Sequence, residues 1–271
     1  MNSKFLPLLA FTSFAITGNA NPSFDIGGIK MGSTLKEAKV TLSNISPGLV
    51  IKELKQNNGS VVGYEGRERI SVGREDAGAR SMAPNASIEK FVQKDHIVVL
   101  ADKSDAVWFV SRTQAFAPKT PRPTAKATWE ALEQKFGAPS RKSLSGGIGT
   151  GEWEFDRNLK LFTRKGGHVA DAGPCTTSLS EISAGYQGTY PIYTPQSFTQ
   201  QCSFSVTAKI NAAESSYQSG DEGLVNNFNI TVYDSARMLT QLQTEKNAAD
   251  AAAKQKSNTL MEQGKGVKPA L

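Results

Sequence analysis

Twice along this chain a short amphipathic helical pattern, closed by glycine and proline, gives way to a run of alternating extended segments. In the first, Leu35, Ala38, Leu42 and Ile45 recur at steps of three, four and three, the spacing of one helix face. Thr34 and Glu37 open it as a Thr-x-x-Glu capping box, whose hydroxyl and carboxylate satisfy free backbone N–H groups. Ser46-Pro47-Gly48 ends it, since neither proline nor glycine continues a helix. In the second, Ala125, Trp129, Leu132 and Phe136 recur at four, three and four behind Thr124. Gly137 and Pro139 stop it. Gly27, Gly28 and Gly32 therefore serve the entry to a helix. A phosphate cradle would show GxxxxGK[ST], or GxGxxG after an apolar strand, and neither is present there.

Extended segments follow each helix. Residues 49–56 and 61–69 flank Asn57-Asn58-Gly59-Ser60, a hairpin signal. Residues 74–86 read as a polar loop. Strands are then expected over 88–93, 96–101 and 107–116, separated by Lys94-Asp95 and by residues 102–105. After the second helix come 152–156 and 159–164 around Arg157-Asn158, then 202–210 and 224–233. Asp234 or Ser235 can cap a last helix, docked by Met238, Leu239 and Leu242, with a polar, alanine-rich body and a frayed tail from Gly264.

The expected fold is α+β: two helix-plus-antiparallel-sheet modules and a C-terminal helix. The division is 1–20, 21–117, 118–234 with the cysteine-bearing loop, and 235–271, with the proline-rich residues 117–123 as the linker. A degenerate duplication and an ordinary α+β chain both produce such a pattern.

Residues 1–20 have the form of a secretory signal peptide. Lys4 is followed by an apolar run over 5–16, and Gly18 and Ala20 supply small residues for cleavage after Ala20, with Ala15 as the alternative. The run is too short to anchor in a bilayer, and no cysteine near the junction could carry a lipid. A soluble periplasmic or secreted protein, with no transmembrane segment, is the expectation. Export sets the meaning of the two cysteines. In an oxidising compartment Cys175 and Cys202 are expected to form a disulfide. Cys202, Phe204, Val206, Ala208 and Ile210 alternate with polar residues, which points Cys202 toward the apolar layer.

The net charge is +6. The basic residues are not segregated: Arg67, Arg69, Arg74 and Arg80 sit among Glu65, Glu68, Glu75 and Asp76. A nucleic-acid reader shows a basic stripe, so this is a solvated mixed surface, and no nucleic-acid partner is expected.

Two segments carry a resemblance. GIKMGSTLKEAKVTL, residues 28–42, is similar to the G-M-T-x-x-x-V helix entry of small envelope modules in the outer-membrane assembly lipoprotein and β-lactamase-inhibitor-protein fold group. LEQKFGAPS, residues 132–140, resembles their L-G-x-P helix exit. Met31 and Gly32 stand in the reverse order from the usual pair, and the lipid-bearing cysteine is absent. The chain also resembles uncharacterised exported proteobacterial proteins that share these signals. The resemblance implies a binding or scaffolding role without catalysis.

Reactive groups are few. His96 leads an apolar strand and reads as structural. His168, Asp171 and Cys175 share one loop, but they lack a fourth metal ligand at a recognisable spacing. A Cys-His nucleophile there would need a free thiolate, which a disulfide removes. GGIGTGEW, residues 146–153, reads as a flexible turn before a strand. Glu152, Glu154 and Asp156 alternate onto what reads as a solvated strand face. Tyr186, Tyr190 and Tyr193 lie in the surface-prone run GYQGTYPIY and are the candidate contact residues. No cofactor and no metal are expected. The expected function is non-catalytic binding of an envelope or secreted protein, inhibitor-like or in assembly. The alternative is a hydrolase of cell-wall material whose site assembles from distant residues.

Overall fold

A computed structural model describes residues 24–76, 87–116, 121–145, 147–163, 173–175, 179–181, 193–213 and 223–265. Both helices form where their caps and apolar spacing place them. In α1 (Leu35–Ile45) the Glu37 N–H donates to Thr34 Oγ1 at 3.2 Å, and the Thr34 N–H donates to Glu37 Oε2 at 2.9 Å. These bonds hold the exposed Glu37 carboxyl below its ordinary range. In α2 (Ala125–Phe136) Thr124 caps the start, and Gly137 closes the end at φ 85°, a conformation that favours glycine. Leu35, Ala38 and Leu42 of α1 and Ala125, Trp129 and Phe136 of α2 are buried in one shared apolar cluster.

The strands are β1 (Asp25–Ile26), β2 (Ile29–Lys30), β3 (Val50–Lys55), β4 (Val61–Asp76), β5 (Ser87–Ala101), β6 (Val107–Ala115), β7 (Arg141–Ser145), β8 (Ile148–Asp156), β9 (Leu179–Glu181), β10 (Tyr193–Pro195), β11 (Cys202–Ala213) and β12 (Leu224–Asp234). Eight of them make one antiparallel sheet in the order β3-β4-β5-β6-β12-β11-β8-β7. That order is a mirror. Each helix is followed by two strands that begin at an outer edge and two that run inward, and the halves meet where β6 pairs with β12 from Phe109↔Tyr233 to Ala115↔Asn227. The two helix-plus-strand patterns of the sequence thus share a single sheet.

Mirrored positions carry matching solutions. One register row runs Ile51, Gly66, Ile97, Arg112, Ile230, Ala208, Gly151, Lys142 across all eight strands. Gly66 and Gly151 occupy equivalent places in it. A Cβ on Gly66 would lie 2.7 Å from Leu49 and 3.3 Å from Leu42 of α1; a Cβ on Gly151 would lie 2.7 Å from Trp129 of α2. Each half therefore uses a strand glycine to let its helix seat closely.

The expected hairpin forms at Asn57-Asn58-Gly59-Ser60, with Gly59 at φ 85° and Asn58 Oδ1 accepting from the Ser60 N–H at 3.0 Å. Other expectations are corrected. Lys94-Asp95 does not break a strand: β5 runs through it, because Asp95 is buried against Arg112 rather than turned to solvent. Residues 74–76 belong to β4, not to a loop. Gly149 and Gly151 lie inside β8 rather than in a turn before it. The segment after Arg157-Asn158 folds back on the end of β8 as expected, with an antiparallel bridge Phe155↔Leu161 and bonds from the Asp156 N–H to the Lys160 carbonyl at 3.0 Å and from the Phe162 N–H to the Glu154 carbonyl at 2.8 Å, but its described residues 159–163 form no continuous strand.

The last helix, α3 (Ser235–Gly264), starts where Asp234 accepts from the Arg237 N–H at 2.9 Å. Burial pushes the Asp234 carboxyl up, against its hydrogen bond from the Arg237 N–H and the nearby guanidinium. Arg237 reaches Asp102 at 3.1 Å, Lys103 reaches Glu245 at 3.0 Å, and Met238 packs on a cluster holding Trp108 and Tyr233. Leu242, expected to dock, is 43% exposed. Residues 246–265 are exposed on every side. No helix among the described residues is long and apolar enough to cross a membrane.

Candidate functional site

Directly paired residues in a sheet point to the same side. The row holding Gly66 and Gly151 faces the helices, so its neighbours face away. One of these runs Lys52, Glu65, Val98, Ser111, Thr231, Thr207, Glu152, Arg141; the next runs Val50, Arg67, His96, Thr113, Asn229, Lys209, Thr150, Ser143. Farther along the same face Val98, Phe109 and Tyr233 form an apolar cluster on which Met238 of α3 packs, whereas in these two rows the face away from α1 and α2 is mostly polar. At its centre Ser111 Oγ and Thr231 Oγ1 are hydrogen-bonded at 2.7 Å, and Asn229 Nδ2 donates to Thr113 Oγ1 at 2.9 Å and Ser111 Oγ at 3.2 Å. Ser111, Thr113 and Thr231 are buried. Toward the C-terminal edge the face opens: Lys209, Thr150, Ser143 and Arg141 are exposed on three neighbouring strands, and Glu152 is paired with Arg141.

At the other side of the face stands a buried pair that sequence reasoning missed. His96 has no exposed surface, and its Nε2 lies 2.8 Å from Glu65 Oε1, which Arg67 also contacts at 2.5 Å. Burial alone would raise the Glu65 carboxyl, but the bonds from His96 and Arg67 outweigh it and hold the pKa below the ordinary value. An ionised carboxylate only accepts, so Nε2 carries the proton of this bond. Among the described residues Nδ1 has no hydrogen-bond partner. The only signal in the sequence is that Glu65 and His96 lie on neighbouring strands of one meander. Their contact depends on register, which the sequence pattern left open.

The cysteines are found together. Cys175 and Cys202 Sγ atoms are 2.07 Å apart, a disulfide distance, across a sequence separation of 27. No thiol there is free to act as a nucleophile. Glu154 corrects the solvated-face expectation: it is 4% exposed, and its Oε2 accepts from the Cys175 N–H at 2.9 Å. Residues 173–175 therefore lie against β8. Replacing both cysteines with serine is expected to lower the unfolding free energy by about 3–4 kcal/mol, since the unfolded chain regains the loop's entropy. Equilibrium urea unfolding of the double variant measures it; a loss below about 1 kcal/mol would contradict the bracing role. Tyr193 lies on β10, paired with β9 through Glu181, whereas Tyr186, Tyr190, His168 and Asp171 fall outside the described residues. Among the described residues no group of three or more His, Cys, Asp or Glu side chains is placed to hold a metal ion.

These features define a class by architecture: an antiparallel α+β protein with α1 and α2 on one face of a single mirrored sheet, and an opposite face that is polar over two register rows and packed against the start of α3 farther along. No known protein family, no curated protein and no solved structure matches the chain.

Proposed function

We propose that this is an exported, non-catalytic binding protein of the bacterial envelope that engages another exported protein through the exposed part of the sheet face opposite α1 and α2. The observation that carries this reading is the open patch of Arg141, Ser143, Thr150 and Lys209, short and charged groups held on three adjacent rigid strands. Such a surface offers fixed hydrogen-bond donors and acceptors at low ordering cost. The cysteine pair at disulfide distance supports export. An inhibitor-like or assembly role follows from the resemblance of the helix entry and exit.

The test is a crosslinking pull-down from envelope extract with the mature chain. A single stoichiometric protein is expected with the wild type and with Lys36→Glu, an exposed change on α1 on the opposite side. It is expected to fall at least tenfold with Thr150→Arg combined with Lys209→Glu. Equal recovery by that variant would refute the face. A second reading, hydrolysis of cell-wall material, has one observation in its favour: Glu65 and His96, 31 residues apart, form a carboxylate–imidazole pair of the kind used for proton transfer. Turnover of cell-wall material by the pure protein, abolished by His96→Asn, would establish it in place of the binding role.

A further inference from the structure

A groove of about 340 Å³ opens between β3 and the first half of β4, on the sheet face away from α1 and α2. It lies at the opposite edge of the sheet from the patch of Arg141, Ser143, Thr150 and Lys209. We propose that it binds a phosphate group, held between Arg67 and Lys52. The inference is independent of the sheet-face reading, and it gives Glu65 and His96 a positioning role rather than a catalytic one.

Three observations carry it. The first is charge. Three cations, Lys52, Arg67 and Arg69, and one carboxylate, Glu65, line the groove beside Gly48 and Val50, so the lining is two charges positive. Glu68, which lies behind Gly48, adds nothing to this balance: it is buried and paired with Lys94 at 2.8 Å. A doubly negative group is the complement of such a lining, whereas a carboxylate would supply half of it.

The second observation is that Arg67 is oriented from behind. His96 has no exposed surface, and its Nε2 holds Glu65 Oε1 at 2.8 Å. The same oxygen accepts from Arg67 Nη2 at 2.5 Å, and the Arg67 side chain is 19% exposed. A chain of ionisable groups this deeply placed is costly to keep. Here its outer end is a guanidinium that reaches the groove already fixed at one nitrogen, the preorganised fork that suits phosphate oxygens.

The third comes from the mirror. Lys52 stands opposite Glu65 at one edge of the sheet as Arg141 stands opposite Glu152 at the other, in the same register row. Arg141 and Glu152 form an ion pair. Glu65 is instead turned to Arg67 and His96, and among the described residues Lys52 forms no ion pair. The row closes its charge at one edge and leaves it open at the other. Val50, 63% exposed, gives the open edge an apolar rim for whatever carries the phosphate.

The test is an NMR titration of the full mature chain with phenyl phosphate, inorganic phosphate and benzoate at fixed ionic strength, at about pH 8, where the phosphates carry close to two charges. Saturable shifts at the Lys52 and Arg67 amides are expected with phenyl phosphate, and binding at least tenfold weaker with benzoate. Inorganic phosphate bound as tightly as the ester would assign the free ion as ligand; weaker binding would assign a phosphate carried on a larger molecule. Lys52→Gln should weaken binding at least fivefold, and Arg67→Lys, which keeps the charge but loses the fork, several-fold. Lys52 is exposed, so its variant keeps the wild-type spectrum elsewhere. Lys126→Gln, an equal loss of charge on the exposed surface of α2, should leave binding unchanged. Benzoate bound as tightly as phenyl phosphate, unchanged binding by Lys52→Gln or Arg67→Lys, equal weakening by Lys126→Gln, or no saturable shift at the two amides would each overturn the proposal.

Discussion

Replacing Trp129 with alanine is expected to lower the unfolding free energy by about 3–5 kcal/mol, the range for deleting a fully buried tryptophan. Trp129 is 2% exposed and lies flat on β8, where Cβ atoms on Gly149 and Gly151 would come within 2.8 and 2.7 Å of its ring. Its ring centroid is 6.3 Å from that of Trp153, and Lys142 Nζ stands 4.8 Å above it. Among the described residues the indole N–H has no hydrogen-bond partner, so the loss is one of packing. Two further variants separate this cause from a general weakening of α2. Gly151→Val alone drives carbons into the ring and should cost about 1–3 kcal/mol. In the Trp129→Ala background the same change fills the vacated space and should cost much less. Equilibrium urea unfolding reads all three; a Trp129→Ala loss under 1 kcal/mol would show that the helix is seated by something else.

Arg112→Met is expected to cost a similar amount, about 3–5 kcal/mol, for an electrostatic reason. Asp95 is 2% exposed and accepts from Arg112 Nε at 3.0 and 3.1 Å and from Arg112 Nη2 at 2.5 Å. Both side chains lie on the helix-bearing face, and the pair bridges β5 and β6 beside the seam between the halves. Removing the guanidinium leaves a carboxylate buried without compensation. Removing both charges, with Asp95→Leu added, takes away the desolvation penalty together with the attraction, and most of the lost stability should return. Thermal unfolding of the single and double variants checks this. A double variant no more stable than Arg112→Met would mean that the pair holds the seam by geometry rather than by mutual neutralisation.

What was legible in the sequence was what its neighbours in sequence decide. The α1 capping box needs only Thr34 and Glu37, and the hairpin needs only Asn58 and Gly59, so both could be placed from local chemistry. The misread residues have distant partners. Asp95 looked like a strand break because its partner, Arg112, is on another strand. Gly149 and Gly151 looked like a loop because the reason for their lack of side chains, Trp129, lies on a helix before them. Glu154 looked solvated because the group that covers it belongs to the disulfide loop. The Glu65–His96 pair depends on sheet register, which alternation alone does not specify.

The seam has a consequence for biogenesis. The β6 strand, Val107–Ala115, is completed early in synthesis, and its ladder partner β12, Leu224–Asp234, is among the last segments made. Until β12 is delivered, one side of β6 presents a raw row of amide and carbonyl groups, a template for pairing with a sibling chain. Nascent molecules must stay apart through that interval, so yield will be set by how quickly the second half arrives as much as by the strength of the finished sheet.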